Sequence, residues 1–198
     1  GEKVCECDET NAVNVDQSGS FEIKRVKSTN AWIPITEGCN NFCTYCIVPY
    51  TRGRERSHSP ETIIAEAKKA IKDGFKEITL LGQNVDSYGK DFKDKNYMLS
   101  NLLRDINSIE GNFRIRFVTS YPTDITDELI DTVLELDKVC EYFHIPMQSG
   151  SSEVLKKMNR RYDRETYAKI VRHITEKIPD VTIRSRSEER RVGKECRS

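Results

Sequence analysis

The chain has 198 residues, which is enough for one hydrophobic core, and a single domain is the default expectation at this length. Its 32 basic and 32 acidic residues balance, so the net charge points to neither a nucleic acid nor a membrane surface. Apolar residues make up 36% of the chain, and no apolar run is long enough to cross a bilayer. Seven cysteines without a secretory leader are typical of metal binding in a reducing compartment, so we expect a cytoplasmic protein.

Residues 1–30 are polar and predict a linker with one edge strand at 21–26. Cys5 and Cys7 lie in this linker. They could bind a metal, but we interpret a lone C-x-C pair as two solvent-facing thiols. Because the chain begins with Gly1 rather than Met, we expect that an N-terminal part precedes the linker.

Three cysteines follow the apolar run 31–35 at C-x3-C-x2-C spacing: Cys39, Cys43 and Cys46. A tight turn points thiolates this close toward one centre, and soft thiolates select zinc, copper(I) or an iron–sulfur cluster. Structural zinc takes four ligands, whereas a cubane cluster held by three thiolates leaves one iron open. His58 could complete a Cys3His zinc site, so a non-enzymatic zinc module is an alternative to a cluster enzyme.

After the cysteine loop, strands and helices alternate. Strands are predicted at 77–81, 113–118, 142–147 and 180–183. Helices are predicted from the caps Ser59, Thr126 and Asp163 and from apolar periodicity at 99–109 and 154–158. Repeated strand–helix units imply a parallel sheet covered by helices, so we predict an α/β fold, a partial parallel (β/α) barrel cut after about its fifth strand. In such barrels the chemistry gathers at the carboxyl ends of the strands, where the cysteine loop lies.

The cysteine spacing resembles that of the radical SAM superfamily, and Tyr45 supplies the aromatic residue that usually precedes the third cysteine. The resemblance implies that Cys39, Cys43 and Cys46 hold a 4Fe–4S cluster, that S-adenosylmethionine (SAM) binds the open iron, and that Tyr45 contacts the SAM adenine. By the same analogy the polar residues at later strand ends face SAM. These residues are Gly82, Gln83, Asn84, Ser120 and Gln148. The alternative for each is a turn or a cap on exposed backbone.

Longer stretches, at 38–57, 80–85 and 144–151, resemble the radical SAM methylthiotransferases. The stretch 80–85, Leu-Leu-Gly-Gln-Asn-Val, is most similar to the branch that acts on isopentenyl-adenosine in tRNA. The resemblance implies an enzyme that methylthiolates C2 of this adenosine, next to the anticodon. The alternatives within the family are another tRNA adenosine or a ribosomal protein.

The resemblance also implies the cofactors and partners of the reaction. An electron from a flavodoxin-type donor enters the cluster, SAM is cleaved, and the resulting radical removes hydrogen from C2 of the adenine. A second 4Fe–4S cluster is expected only in an N-terminal domain that this chain lacks. The partner is the anticodon loop of tRNA, whose single-stranded bases can be splayed out, and we expect a monomer. Basic residues that could meet tRNA phosphates, or simply form a solvated face, are Arg52, Arg54, Arg56, Arg160 and Arg161.

The resemblance ends at residue 185, so we assign 31–185 to an incomplete radical SAM core. The apolar pattern is lost at once in 186–198, which resembles translated sequencing-adapter DNA, and we interpret this segment as a non-native tail. Without later strands the adenine side of the SAM pocket would be open. We therefore expect this chain by itself to be weakly active or inactive.

Overall fold

The computed structural model of the protein describes residues 28–93 and 96–188. Most of the predicted linker, including Cys5, Cys7 and the predicted edge strand, lies outside the described residues, as do residues 189–198 of the predicted tail. Within the described ranges, no helix is both long enough and apolar enough to span a membrane.

Strands and helices alternate along the described chain, as the sequence predicts. The strands are β1 (Asn30–Pro34), β2 (Thr36–Glu37), β3 (Arg56–Ser57), β4 (Glu77–Leu81), β5 (Arg114–Phe117), β6 (Tyr142–His144) and β7 (Thr182–Arg184). The helices are α1 (Val48–Thr51), α2 (Pro60–Lys72), α3 (Leu99–Asn107), α4 (Asp127–Glu135), α5 (Ser152–Lys157) and α6 (Arg164–Lys177).

The parallel strands follow one another in space in their chain order. β1, β4 and β5 form a three-stranded parallel sheet with β4 in the middle, and β6 and β7 form a second parallel pair. A backbone hydrogen bond from Ser120 N to His144 O, at 2.9 Å, connects the segment after β5 to β6. The predicted α/β class with a parallel sheet is confirmed, and within the described residues the sheet does not close into a barrel.

Three helices begin where their caps predict. The side chain of Ser59 accepts a hydrogen bond from Thr62 N at 3.3 Å, and Pro60 occupies the first turn of α2. Thr126 and Asp163 cap α4 and α6 in the same way. Each cap satisfies a backbone N–H that the first helical turn leaves without a partner, so short side chains fix the helix starts.

The main core lies between the three-stranded sheet and helices α2, α3 and α4. Its fully buried members include Ile33, Ile78, Leu80, Leu103 and Phe117, each exposing at most 1% of its surface. The middle of β4 is buried on both faces, since Ile78, Thr79 and Leu80 are all fully buried. The core therefore fixes the β4 and β5 ends, where the predicted site residues lie.

One strand is shorter than predicted. The sequence predicts a strand over 142–147, but β6 ends at His144. Pro146 has no backbone N–H to give to a strand ladder, so the regular ladder ends there. An isolated parallel bridge between Gln148 and Ser187 follows, at a residue with a left-handed φ of 65°.

Candidate functional site

The cysteine loop is closed at its base by a small antiparallel ribbon that the sequence did not predict, in which β2 pairs with β3. Just inside the ribbon, Cys39 N donates a hydrogen bond to Gly53 O at 3.2 Å. Gly38 has a φ of +72°, and a Cβ there would lie 2.3 Å from Arg54 O. Only glycine fits so close an approach of two backbone segments, so the loop entry is fixed by backbone geometry.

The three predicted cluster ligands line one cavity of about 360 Å³. Cys39 and Cys43 each expose 8% of their surface, Cys46 is half-buried, and none of the three forms a disulfide. Burial is the main reason that the pKa of the Cys39 thiol is raised, and nearby Glu55 raises it further. The neutral thiol is therefore the favoured form of Cys39 unless a positive charge offsets its burial.

The zinc alternative does not match the geometry of the site. In the described part of the chain, no three His, Cys, Asp or Glu side chains are placed to share a single metal ion. His58 is not part of the cavity wall, and its Nε2 lies 3.6 Å from Glu37 Oε1. An iron–sulfur cluster does not require the thiolates to meet at one point, because each thiolate binds its own iron atom.

Four of the five predicted strand-end residues line the same cavity: Gly82, Gln83, Ser120 and Gln148. The side-chain oxygens Oε1 of Gln83 and Gln148 are buried and accept no hydrogen bond in the described structure. Unpaired buried acceptors are rare and costly, so these two oxygens are free to accept hydrogen bonds from a polar ligand in the cavity. At Gly82 a Cβ would come within 2.2 Å of Thr36 Oγ1, so glycine lets the end of β4 pack closely on Thr36.

The fifth predicted residue, Asn84, does not line the cavity and is buried elsewhere. Its Nδ2 donates a hydrogen bond to Asp124 Oδ2 at 2.6 Å. The sequence predicts that Asn84 faces the cavity together with Gln83, because the two are neighbours at the end of β4. Asn84 instead has an extended backbone and precedes a short 3-10 helix at Val85–Ser87. Asn84 therefore holds this turn to the segment after β5.

Tyr45 lies in the cavity wall beside the thiols, as expected for a residue that stacks on a ligand. Burial raises the pKa of its phenol well above the ordinary range, so Tyr45 stays neutral at physiological pH. A neutral aromatic ring offers a stacking surface without adding negative charge to the site.

The predicted basic residues divide into two groups. Arg52, Arg54, Arg56 and Arg161 are exposed. Arg160 instead lines the cavity, and its Nη1 donates a hydrogen bond to Cys43 Sγ at 3.3 Å. The prediction that Arg160 faces tRNA is therefore not matched by its position, since its guanidinium points to the cysteine loop.

A segment that the sequence analysis did not connect with the site, residues 157–160, packs against the cysteine loop. Thr44 N donates to Met158 O at 3.2 Å, and Asn159 Nδ2 donates to Phe42 O at 2.9 Å. Phe42 and Asn159 both have left-handed φ values, 48° and 56°. No local sequence pattern predicts this contact, because its partners lie more than a hundred positions apart.

A second, larger groove of about 600 Å³ lies between α2 and α3. It contains none of the predicted site residues, and its wall consists of helix side chains such as Lys68, Lys72 and Asp105. The groove therefore has no part in the chemistry argued for the cysteine cavity.

Comparison with known families places the described fold in context. The profile of the Radical SAM superfamily matches residues 33–185. The chain is 57% identical over 161 residues to a tRNA-2-methylthio-N(6)-dimethylallyladenosine synthase of Thermoanaerobacter pseudethanolicus, covering 81% of this chain and 34% of that protein. It is 58% identical over 164 residues to the synthase of the same name from Clostridium botulinum, covering 83% of this chain and 36% of that protein. The chain thus spans about a third of the length of these curated relatives.

Solved structures show the same fold at low sequence identity. The cobalamin-dependent S-adenosylmethionine radical enzyme OxsB, with aqua-cobalamin and S-adenosylmethionine bound, superposes with a TM-score of 0.63 at 13% identity, covering 78% of this chain and 23% of that chain. The radical S-adenosylmethionine methyltransferase TsrM, with cobalamin and a [4Fe-4S] cluster bound, gives 0.60 at 16% identity, covering 78% and 30%. Methylornithine synthase gives 0.56 at 15% identity, covering 79% and 43%.

Proposed function

The chain belongs to the Radical SAM superfamily, and on this basis we propose that it is the core of a tRNA methylthiotransferase. Its substrate is an isopentenyl-adenosine beside the anticodon, which it methylthiolates at C2. The observation that carries the proposal is the meeting of three free thiols with the polar ends of β4, β5 and β6 in one cavity. Identities of 57% and 58% to two synthases with this tRNA substrate in their names support the choice of substrate.

The cavity fits the two cofactors that this activity needs, a 4Fe–4S cluster and SAM. Soft thiol ligands suit an iron–sulfur cluster, and three of them leave room for SAM at the remaining iron. Buried acceptors without partners at Gln83 and Gln148 suit the amino group of SAM, and the half-buried Gly82 lines the same cavity. When bound, the cluster and SAM supply reductive cleavage of the sulfonium and a radical able to remove hydrogen from C2.

The side chains of the chain bind and orient these groups. Cys39, Cys43 and Cys46 hold the cluster, and the neutral ring of Tyr45 stacks on the adenine of SAM. Ser120 and Gln148 are buried in the wall of the same cavity, where they would orient the amino-acid part of SAM and exclude water. No acid–base pair is required of these residues, because a radical rather than a proton transfer activates C2.

The exposed arginines after the cysteine loop are proposed to meet the phosphates of the anticodon loop. Arg52 has no ion-pair partner among the described residues, whereas Arg56 lies 3.6 Å from Glu37 and Arg54 stacks on Phe42 at 4.9 Å. Arg161 is exposed on the neighbouring segment. Phosphate contacts of this kind position RNA without reading its sequence. We propose in addition that the enzyme is cytoplasmic, is monomeric and takes its electrons from a flavodoxin-type donor.

Anaerobic reconstitution of the chain with iron and sulfide tests the cluster. We expect a brown protein with about four irons per chain, and loss of the iron in Cys43→Ala. Cys140→Ala is the matched control, because Cys140 is half-buried and lies outside the cavity, and it should keep the iron. A colourless protein with one zinc per chain would contradict the proposal that the chain is an enzyme core.

Mass spectrometry of tRNA nucleosides tests the substrate. Deletion of the gene should remove the 2-methylthio group and leave isopentenyl-adenosine in bulk tRNA. Loss of the methylthio group from a different tRNA adenosine, or from a ribosomal protein with tRNA unchanged, would instead select the alternative branches of the family.

A further inference from the structure

Arg160 lies in the wall of the cysteine cavity, and the proposed reaction gives it no role. Its guanidinium lies 4.4 Å from the ring centre of Tyr121 and 4.9 Å from that of Tyr162. Its Nε and Nη2 donate hydrogen bonds to Tyr162 Oη at 3.0 and 2.8 Å. Tyr162 Oη donates in turn to the backbone of Pro146, at 3.2 Å. Two aromatic faces and a fixed phenol oxygen leave this side chain one orientation.

That orientation directs one N–H of Arg160 at Cys43. The distance from Nη1 to Sγ is 3.3 Å, within hydrogen-bond range for sulfur. The ion pairs of residues 28–93 and 96–188 all use other side chains, so no carboxylate neutralises this guanidinium. Arginine stays charged at any physiological pH. A full positive charge therefore faces a thiol that is proposed to bind iron.

The segment that carries Arg160 is itself fixed to the cysteine loop. Thr44 Oγ1 donates to Lys157 O at 3.3 Å, and the backbone N–H of Thr44 donates to Met158 O. With the contact from Asn159 to Phe42, these bonds bracket Cys43 on both sides. Arg160 is thus held against Cys43 by its own neighbours as well as by the two tyrosines.

From this geometry we infer that Arg160 is a positioning residue that orients the Cys43 thiolate and raises the reduction potential of the cluster. The inference rests on the proposed function, since it requires a cluster on the three cysteines. A hydrogen bond to a ligating sulfur withdraws electron density from it, and hydrogen bonds to the sulfurs and local charge set the potentials of iron–sulfur clusters. A nearby cation also stabilises the reduced state, which carries one more negative charge.

The test compares Arg160→Gln and Arg160→Lys with Arg161→Gln in the full chain after anaerobic reconstitution. Iron content is measured first, and the midpoint potential is then followed by EPR during a redox titration. We expect Arg160→Gln to shift the midpoint to more negative values. Arg160→Lys should shift it in the same direction by less, because the charge remains while the planar donor is lost. Replacing the exposed Arg161 should leave the midpoint potential unchanged.

The outcomes separate this inference from the proposed function. If the unsubstituted chain binds no cluster, the proposed function fails. If it binds a cluster and neither Arg160 variant moves the midpoint, the inference is overturned. Weaker SAM binding with an unchanged midpoint would also overturn it, because Arg160 would then act on SAM rather than on Cys43. Should Arg160→Gln lose its iron, the Lys variant decides, and a shift to more positive values or none would refute the inference.

Discussion

Ser120 donates a hydrogen bond to Asp86 across the gap between the β4 and β5 ends, with 3.1 Å from Ser120 Oγ to Asp86 Oδ1. The other carboxylate oxygen of Asp86 accepts from Tyr121 N at 3.0 Å. Asp86 exposes 5% of its surface. Burial raises its pKa to about 7, against the smaller lowering by these two hydrogen bonds. A buried carboxyl thus ties together two strand ends that line the site.

Asp86→Asn should therefore make stability less dependent on pH. Because the folded-state pKa of Asp86 is raised, the folded protein holds the proton more strongly, and the stability gained from it is lost as pH rises from about 4 through about 7. Asparagine keeps the shape of the protonated carboxyl, since its amide can donate to Ser120 and its oxygen can accept from Tyr121.

Urea unfolding from pH 5 to pH 8 measures this effect. Between pH 5 and pH 8, the free energy of unfolding of Asp86→Asn should rise by on the order of 2 kcal/mol relative to that of the unsubstituted protein. Asp73→Asn, at the exposed end of α2, is the control and should follow the unsubstituted protein. Parallel pH curves for Asp86→Asn and the unsubstituted protein would contradict the expectation.

Gly82→Ala should destabilise the fold through one steric contact. The new Cβ would meet Thr36 Oγ1 at 2.2 Å, and both groups are enclosed, so the cost is about 1–3 kcal/mol. Gly150→Ala is the control, because its Cβ would have only Met147 Cε at 3.9 Å and the φ of Gly150 is not left-handed.

A double-mutant cycle shows whether that contact is the cause. Thr36 Oγ1 is buried without a hydrogen-bond partner, so Thr36→Ala removes the obstacle at little cost. Thermal unfolding should show that Thr36→Ala recovers most of the stability lost in Gly82→Ala. Simple additivity of the two changes would mean that the strain lies elsewhere.

Asn159→Gly should loosen the cysteine loop without straining the backbone. Asn159 has a left-handed φ of 56°, which glycine adopts freely, so this change removes only the hydrogen bond to Phe42 O. Losing about 1 kcal/mol of local stability corresponds to about fivefold faster amide exchange at Thr44, whose N–H is bonded to Met158 O. Asn159→Ala should lose a further amount of about 1 kcal/mol, because alanine disfavours this φ. Equal exchange in all three proteins would show that the side-chain contact is unimportant.

Arg52→Gln should weaken tRNA binding in a salt-dependent way. If Arg52 neutralises one phosphate, its loss lowers the slope of log affinity against log salt by about one and weakens binding of all tRNA sequences equally. Filter binding by the full-length gene product at several salt concentrations measures the slope. Arg56→Gln is the matched control, because Arg56 already lies 3.6 Å from Glu37 and should contribute less. An unchanged slope for Arg52→Gln would remove Arg52 from the tRNA surface.

Features that depend on neighbours in the chain were predictable from the sequence. Caps such as Ser59 and the spacing of Cys39, Cys43 and Cys46 are local patterns, and the parallel order of strands follows from their alternation with helices. The place of Arg160 was not predictable, because its contact with Cys43 joins residues 117 positions apart. The position of Asn84 outside the cavity was not predictable for a related reason, since its partner Asp124 lies 40 positions away.

The bracket around Cys43 also sets an order of events in biosynthesis. The ribosome releases Phe42 and Cys43 long before Asn159 and Arg160, the residues 117 positions later that hold them. Until that later segment emerges and docks, Phe42, Cys43 and Thr44 lack their contacts with residues 157–160, and the loop is held only by local bonds such as those of the β2–β3 ribbon. We therefore expect the cysteine loop to reach its final shape, and to accept a cluster, only after the distal half of the domain has been made.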